Sequence, residues 1–149
     1  MIKSIPFKPG HLDLVSLSSV HDGDETIISD YENGLVAMTF IETIIETDTN
    51  QVLGVMNGIL IHKKCMEVCM LVAKASENHP IGFTKHVARS LASYADELKL
   101  TRVQTTIREG FIHLVKWMRV LGFKQEALLK SWGPEGDDYS LYVRFYNER

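Results

Sequence analysis

Only two cysteines, Cys65 and Cys69, occur in 149 residues. In a strand, a spacing of four puts both on one face but too far apart for a disulfide. No CxxC or HxxxH pair supplies further metal ligands, so both read as reduced core thiols and no metal site is expected. The chain also lacks the run of about 18 apolar residues that would span a bilayer. Its start, MIKSIPFKPG, has no apolar segment of the secretory type. Positive charge is not in excess. The net charge is −3, without the basic footprint of a dedicated nucleic-acid binder. No repeat, low-complexity stretch or linker divides the chain. The expectation is therefore one domain, residues 1–149, in a cytoplasmic setting, with neither membrane nor nucleic acid as partner.

What is present is an ordinary globular balance, 45% hydrophobic and 23% charged, enough for a sizeable core. Ile2 to Phe7 alternates and meets two prolines, the pattern of a short edge strand. His11 to Val20 reads as a short helix. Thr26 to Phe40 fits a helical stripe broken at Asn33-Gly34. Ile41 to Thr47 and Gln51 to His62 read as strands around an Asp48-Thr49-Asn50 turn. Gly54 and Gly58 inside the second predict a bulge or a close approach. Met66 to Ala73, MEVCMLVA, is apolar on both faces, as a central strand is.

Pro80 to Leu100 carries Thr84, Val87, Ala88, Leu91, Ala95 and Leu98 at helical spacing, with Pro80 suited to the first turn. Thr101 to Ile107 is a strand. Phe111 to Leu121 is a helix closed by Gly122 as a left-handed cap. Ala127 to Lys130 and Ser140 to Tyr146 are closing strands around WGPEGDD. Three consecutive strands make an antiparallel meander, and the unit from Met66 to Ile107 makes a parallel crossover. The fold class is α/β (α+β): a mixed, mostly antiparallel sheet of six to seven strands flanked by about four helices.

This order, together with MEVCMLVA, the ending VKWMRVLGF (Val115 to Phe123) and the rhythm of QEALLKSWGPEGDDYSLYVRF, resembles the GNAT superfamily of acetyl-CoA-dependent N-acyltransferases. HPIGF in this frame is also similar to small GNAT-like proteins of tailed phages, some of them internal virion proteins. The first resemblance implies acetyl-CoA as cofactor and a small-molecule or peptide amine as acceptor. The second implies a catalytically lapsed structural or interaction protein, virion-associated or acting in host takeover. Either form implies a possible homodimer, and the second a virion protein partner.

The family's Gln/Arg-x-x-Gly-x-Gly/Ala cofactor motif falls on His79-Pro80-Ile81-Gly82-Phe83-Thr84, where only Gly82 matches. A helix start there would offer unpaired N–H groups and a positive dipole end to a pyrophosphate. The resemblance thus implies cofactor contacts at Val72, Ala73, Lys74, His79, Gly82, Phe83, Thr84 and Lys85, with Arg89 as a further cation near the phosphates. The bland alternative is a helix start with His79 or Asn78 as cap and Gly82 incidental. Glu67, an acid in an apolar strand, falls where some members carry the general base. It is read against the alternative of a carboxylate that merely meets a polar neighbour. Met118 stands where many members have an acidic tyrosine, leaving Tyr139, Tyr142 or water to protonate the leaving thiolate. Backbone N–H groups at the end of the fourth strand would polarise the thioester.

Overall fold

The computed structural model describes residues 1–15 and 38–147. Seven strands form one sheet: β1 (Ile2–Pro6), β2 (Phe40–Glu46), β3 (Val52–His62), β4 (Cys65–Val72), β5 (Arg102–Arg108), β6 (Lys124–Leu129) and β7 (Tyr139–Phe145). Their order is β1-β2-β3-β4-β5-β7-β6. Every neighbouring pair is antiparallel except β4 and β5, which run parallel. The parallel pair needs a crossover, and α1 (Pro80–Glu97) provides it. A second helix, α2 (Ile112–Val120), links β5 to β6. The mixed, mostly antiparallel sheet expected from the sequence is what forms.

Two expectations for the N-terminal third change. The helix expected at His11 to Val20 begins as a 3-10 helix at Pro9–Leu14 and gives way to extended backbone at Val15; the rest of that stretch lies outside the described residues. The stripe at Thr26 to Phe40 also lies outside them, apart from its last residues, where Phe40 opens β2. The described residues therefore hold two α-helices and two 3-10 helices beside the sheet.

The two sheet faces bury different cores. On one, Met56, Met66, Val68, Val72, Val103 and Ile107 pack beneath α1 and α2. On the other, Ile45, Val55, Leu71 and Ala73 pack with Leu12 and Val15. The buried stripe of α1 is Phe83, Val87, Leu91 and Ala95, a strict four-residue repeat. Thr84, expected at its head, is displaced by Phe83. The reason lies in β3. A Cβ on Gly54 would stand 3.2 Å from the Phe83 ring and 2.9 Å from the Leu71 carbonyl oxygen, so the glycine admits the ring. The close approach expected of the two strand glycines is thus met at Gly54 by α1.

A polar network fixes the outer half of α1 to β1 and β2. The Ser4 hydroxyl lies 2.8 Å from Glu42 Oε1 and 2.8 Å from His86 Nε2. Tyr94 donates to Glu42 Oε2 at 2.8 Å and stacks on Phe40. Burial, then the Glu42 hydrogen bond, raises the Tyr94 phenol pKa. His86 faces β1, and burial is the main cause of its lowered pKa. At the other end of β2, Glu46 closes the turn to β3. Its carboxylate accepts the Asp48 amide at 3.0 Å and the Thr49 amide and hydroxyl at 2.9 and 2.8 Å.

These bonds, the Asp48 amide first, lower the Glu46 pKa from an ordinary 4.5 to about 2. A depressed carboxyl pKa adds stability that is complete above the ordinary value and lost as pH falls toward the folded one. Thermal midpoints measured from pH 5 to pH 2 are expected to fall through this window. The Glu46→Gln variant should start lower and fall less steeply. Parallel slopes for the two proteins would remove Glu46 as the source.

Candidate active site

The parallel ladder of β4 and β5 is short. It pairs Cys65 with Arg102, Met66 with Val103 and Glu67 with Gln104, and then stops. Beyond it, the two strands part beneath the helices. A cavity of about 260 Å³ fills the gap. Val68 to Met70 and Val72 form one wall and Thr105 to Ile107 the other. Val87 and Leu91 of α1 and Leu114, Trp117 and Met118 of α2 close it from the helix side. Separation exposes backbone that a regular sheet would have paired, so polar strand edges border an apolar interior.

This parting corrects the reading of MEVCMLVA as buried throughout. Cys65 is buried, but Cys69, beside the gap, is exposed. Its surroundings are still poor in water. Burial, then the nearby Glu67 charge, pushes the thiol up to about 11. Cys65 is likewise raised by burial.

Glu67 occupies the last paired position before the strands part. It is half-buried on the sheet face opposite Met66. Gln104 Nε2 donates to Glu67 Oε1 at 3.3 Å. The amide cannot turn over, because its oxygen accepts from Arg102 Nε at 2.8 Å and a guanidinium only donates. Arg102 is in turn clamped by both oxygens of Glu126, at 2.9 and 2.5 Å. A chain of three polar side chains therefore orients the Glu67 carboxylate. Gln104 has no motif of its own, and only the strand register could have revealed it.

The cofactor set implied by the sequence is divided by the fold. Val72 lines the cavity. Ala73 and Lys74 face a second hollow, of about 550 Å³, between the β2–β3 turn and a 3-10 helix, Lys74–Asn78. His79 is the N-cap of α1 and Pro80 its first residue. Gly82 and Lys85 are exposed on the first turns, as is Arg89 farther along. A Cβ on Gly82 would stand 3.1 Å from the end of Ile2, so that glycine also serves packing against β1. Phe83 departs from the implied role: it is 3% exposed, a core side chain. Thr84 accepts the indole N–H of Trp117 at 2.9 Å, while Trp117 stacks on Phe83. Trp117 thus joins α1 to α2 over the cavity. Met118 is buried in the cavity wall, and neither Tyr139 nor Tyr142 is among the lining residues. Among the described residues, no three His, Cys, Asp or Glu side chains converge on a metal position, and no helix is long and apolar enough to cross a membrane.

No protein-family model and no curated protein sequence matches the chain. Solved structures do. An acetyltransferase of the GNAT family from Bacillus anthracis superposes with a TM-score of 0.74 at 17% identity, over 99% of this chain and 96% of that one. Ard1 from Thermoplasma volcanium gives 0.71 at 14% identity, over 99% of both chains. The ribosomal-protein-S5-alanine acetyltransferase from Vibrio fischeri gives 0.69 at 11% identity, over 99% and 94%. The chain therefore has the GNAT acetyltransferase fold, as its element order implied.

The Trp117–Thr84 bond is testable apart from any activity. Trp117→Phe keeps a ring against Phe83 and removes the donor. It should cost about 1 kcal/mol, or about 3 °C in the thermal midpoint for a chain of this size. An unchanged midpoint would mean that the bond does not couple the two helices.

Proposed function

We propose that this protein is a CoA-thioester-dependent N-acyltransferase acting on an amine. The observation that carries the reading is the opening of β4 from β5 beside an apolar cavity, with an oriented carboxylate, Glu67, at the last paired position before the strands part. The surrounding residues fit such a thioester. Peptide edges border the gap, the first turn of α1 leaves amides without intrahelical partners, and Lys74, Lys85 and Arg89 are exposed nearby in sequence to that helix start. Pro80 contributes no N–H, so Ile81 and Gly82 are the amides available for a phosphate. Acetyl-CoA, when bound, supplies an acyl group already activated as a thioester.

The protein's own part is modest and mostly positional. Glu67 takes a proton from the amine as its nitrogen attacks the acyl carbon. The backbone N–H groups beyond Glu67 on β4 stabilise the charge that develops on the carbonyl oxygen. The bond from acyl carbon to sulfur breaks, and the departing thiolate takes its proton from water at the cavity mouth, since Met118 has none to give. Gln104 holds the Glu67 carboxylate in place without removing its second oxygen from the reaction.

Thermal unfolding with and without acetyl-CoA tests binding first. Ligand at about 100 times its dissociation constant adds roughly 2.7 kcal/mol and should lift the midpoint by several degrees. Glu67→Gln should leave that lift in place while lowering turnover of an amine acceptor by about 10²–10⁴-fold. Unchanged turnover would remove Glu67 as the base. No lift at saturating ligand would leave a scaffold without its catalytic function, the reading that Met118 favours.

A further inference from the structure

We infer that Asn57 binds the acceptor beside Glu67, and that the amine it selects carries a second hydrogen-bond donor about four bonds from the reacting nitrogen. This rests on the acyltransfer reading above and specifies the acceptor for the same site.

Strand alternation sorts the polar side chains by face. Met66, Val68, Val103 and Ile107 pack beneath the helices. Glu67, Cys69, Gln104 and Thr106 therefore face the other way. The thioester's arm takes the parted edges on the helix side, which leaves the opposite face to the amine. That face is open at the gap: Cys69 is exposed, and Glu67, Gln104 and Thr106 are half-buried.

Asn57 of β3 shares this face. It pairs in register with Cys69, while Glu67 pairs with Ile59, so Asn57 and Glu67 are diagonal neighbours. Such positions stand within about 8 Å of each other at Cβ. Asn57 is 3% exposed, and its Oδ1 has no hydrogen-bond partner among the described residues. A buried amide oxygen without a donor is costly, and packing alone would favour leucine there. The other end of the amide sets its orientation. Nδ2 donates to the Met38 sulfur at 3.0 Å, and a thioether only accepts. Met38 is a weak partner, and its unbranched side chain adapts readily to a new neighbour.

An oxygen that only accepts selects an N–H or O–H. Glu67 is held by Gln104 of β5, on the side away from β3, so one nitrogen does not serve both groups. The second donor sits across β4, over Cys69, and this sets its distance from the reacting nitrogen. An ammonium, an amide or a hydroxyl supplies it; a plain alkyl chain does not.

The test is acetyl transfer by the full chain to four amines matched in length: butylamine, 1,3-diaminopropane, 3-aminopropanol and the amide of β-alanine. At least one donor-bearing amine should exceed butylamine about tenfold in kcat/KM, with the difference in KM. Which one does so separates ammonium, hydroxyl and amide as the source. Asn57→Leu should bring the ratio near one, and should melt at or above the wild-type midpoint, because it removes an oxygen without a partner. A midpoint lower by several degrees would mean that the oxygen is already bonded in the free protein, and would overturn the inference. Equal kcat/KM for all four amines would overturn it too, and that comparison stands on the wild-type protein alone. So would a ratio that survives in the variant, or turnover of none of the four while acetyl-CoA still lifts the midpoint. No lift by acetyl-CoA would sink the acyltransfer reading, and this inference with it.

Discussion

The site depends on the point where β4 and β5 stop pairing. Three register pairs hold the strands together, and the third is Glu67 with Gln104. Had the ladder continued, Thr105 and Thr106 would have been bonded to β4 and the cavity would not exist. Parting strands expose peptide groups that a sheet normally satisfies internally, a liability in a structural sheet. It becomes useful where a ligand carrying its own amides can lie along the edges. The parallel direction matters as well, because only a parallel pair requires a crossover helix. That requirement brings the start of α1 to the same end of the sheet as the gap.

Keeping such a gap open requires firm boundaries. On the β3 side, Phe83 fits over Gly54, so α1 cannot slide along the sheet without losing a ring from the core. On the outer side, Ser4, Glu42, His86 and Tyr94 tie the same helix to β1 and β2. Over the cavity, Trp117 joins α1 to α2 by one hydrogen bond and one stacked ring. These contacts hold the helices at a separation that the cavity side chains do not fill. The core can carry that void because its other layers are closed, with Ile44, Leu53, Val87 and Val103 fully buried.

The sequence revealed the scaffold better than the site, for physical reasons. Strand alternation and the four-residue stripe are local patterns, so β2, β3, β5 and both helices were legible within a residue or three. Gly122 was legible too, since its φ of +90° is the left-handed cap that its position after α2 suggested. Glu67 stood out as an acid in an apolar strand. Its partner Gln104 did not, because register between β4 and β5 is set by tertiary packing. The implied cofactor set treated Val72, Ala73 and Lys74 as one surface. Neighbours in a strand point to opposite faces, and here those faces open on different hollows. Phe83 was counted among the implied cofactor contacts because the space over Gly54 cannot be seen in either residue alone.

On the acyltransfer proposal, the surroundings of Cys69 would also protect the protein from its own thioester. On that proposal, an exposed cysteine beside the gap would compete with the amine for the acyl group if it were ionised, because the thiolate is the nucleophile. Burial comes first and the Glu67 charge second in pushing this thiol up to about 11. Near neutral pH the neutral thiol then predominates. The two groups beside the gap are therefore matched in opposite senses. Glu67 is half-buried and accepts a hydrogen bond from Gln104 at one oxygen. Cys69 is held in its unreactive form by the low polarity around it. Replacing the apolar surroundings with polar side chains would weaken that hold by lowering the thiol's pKa.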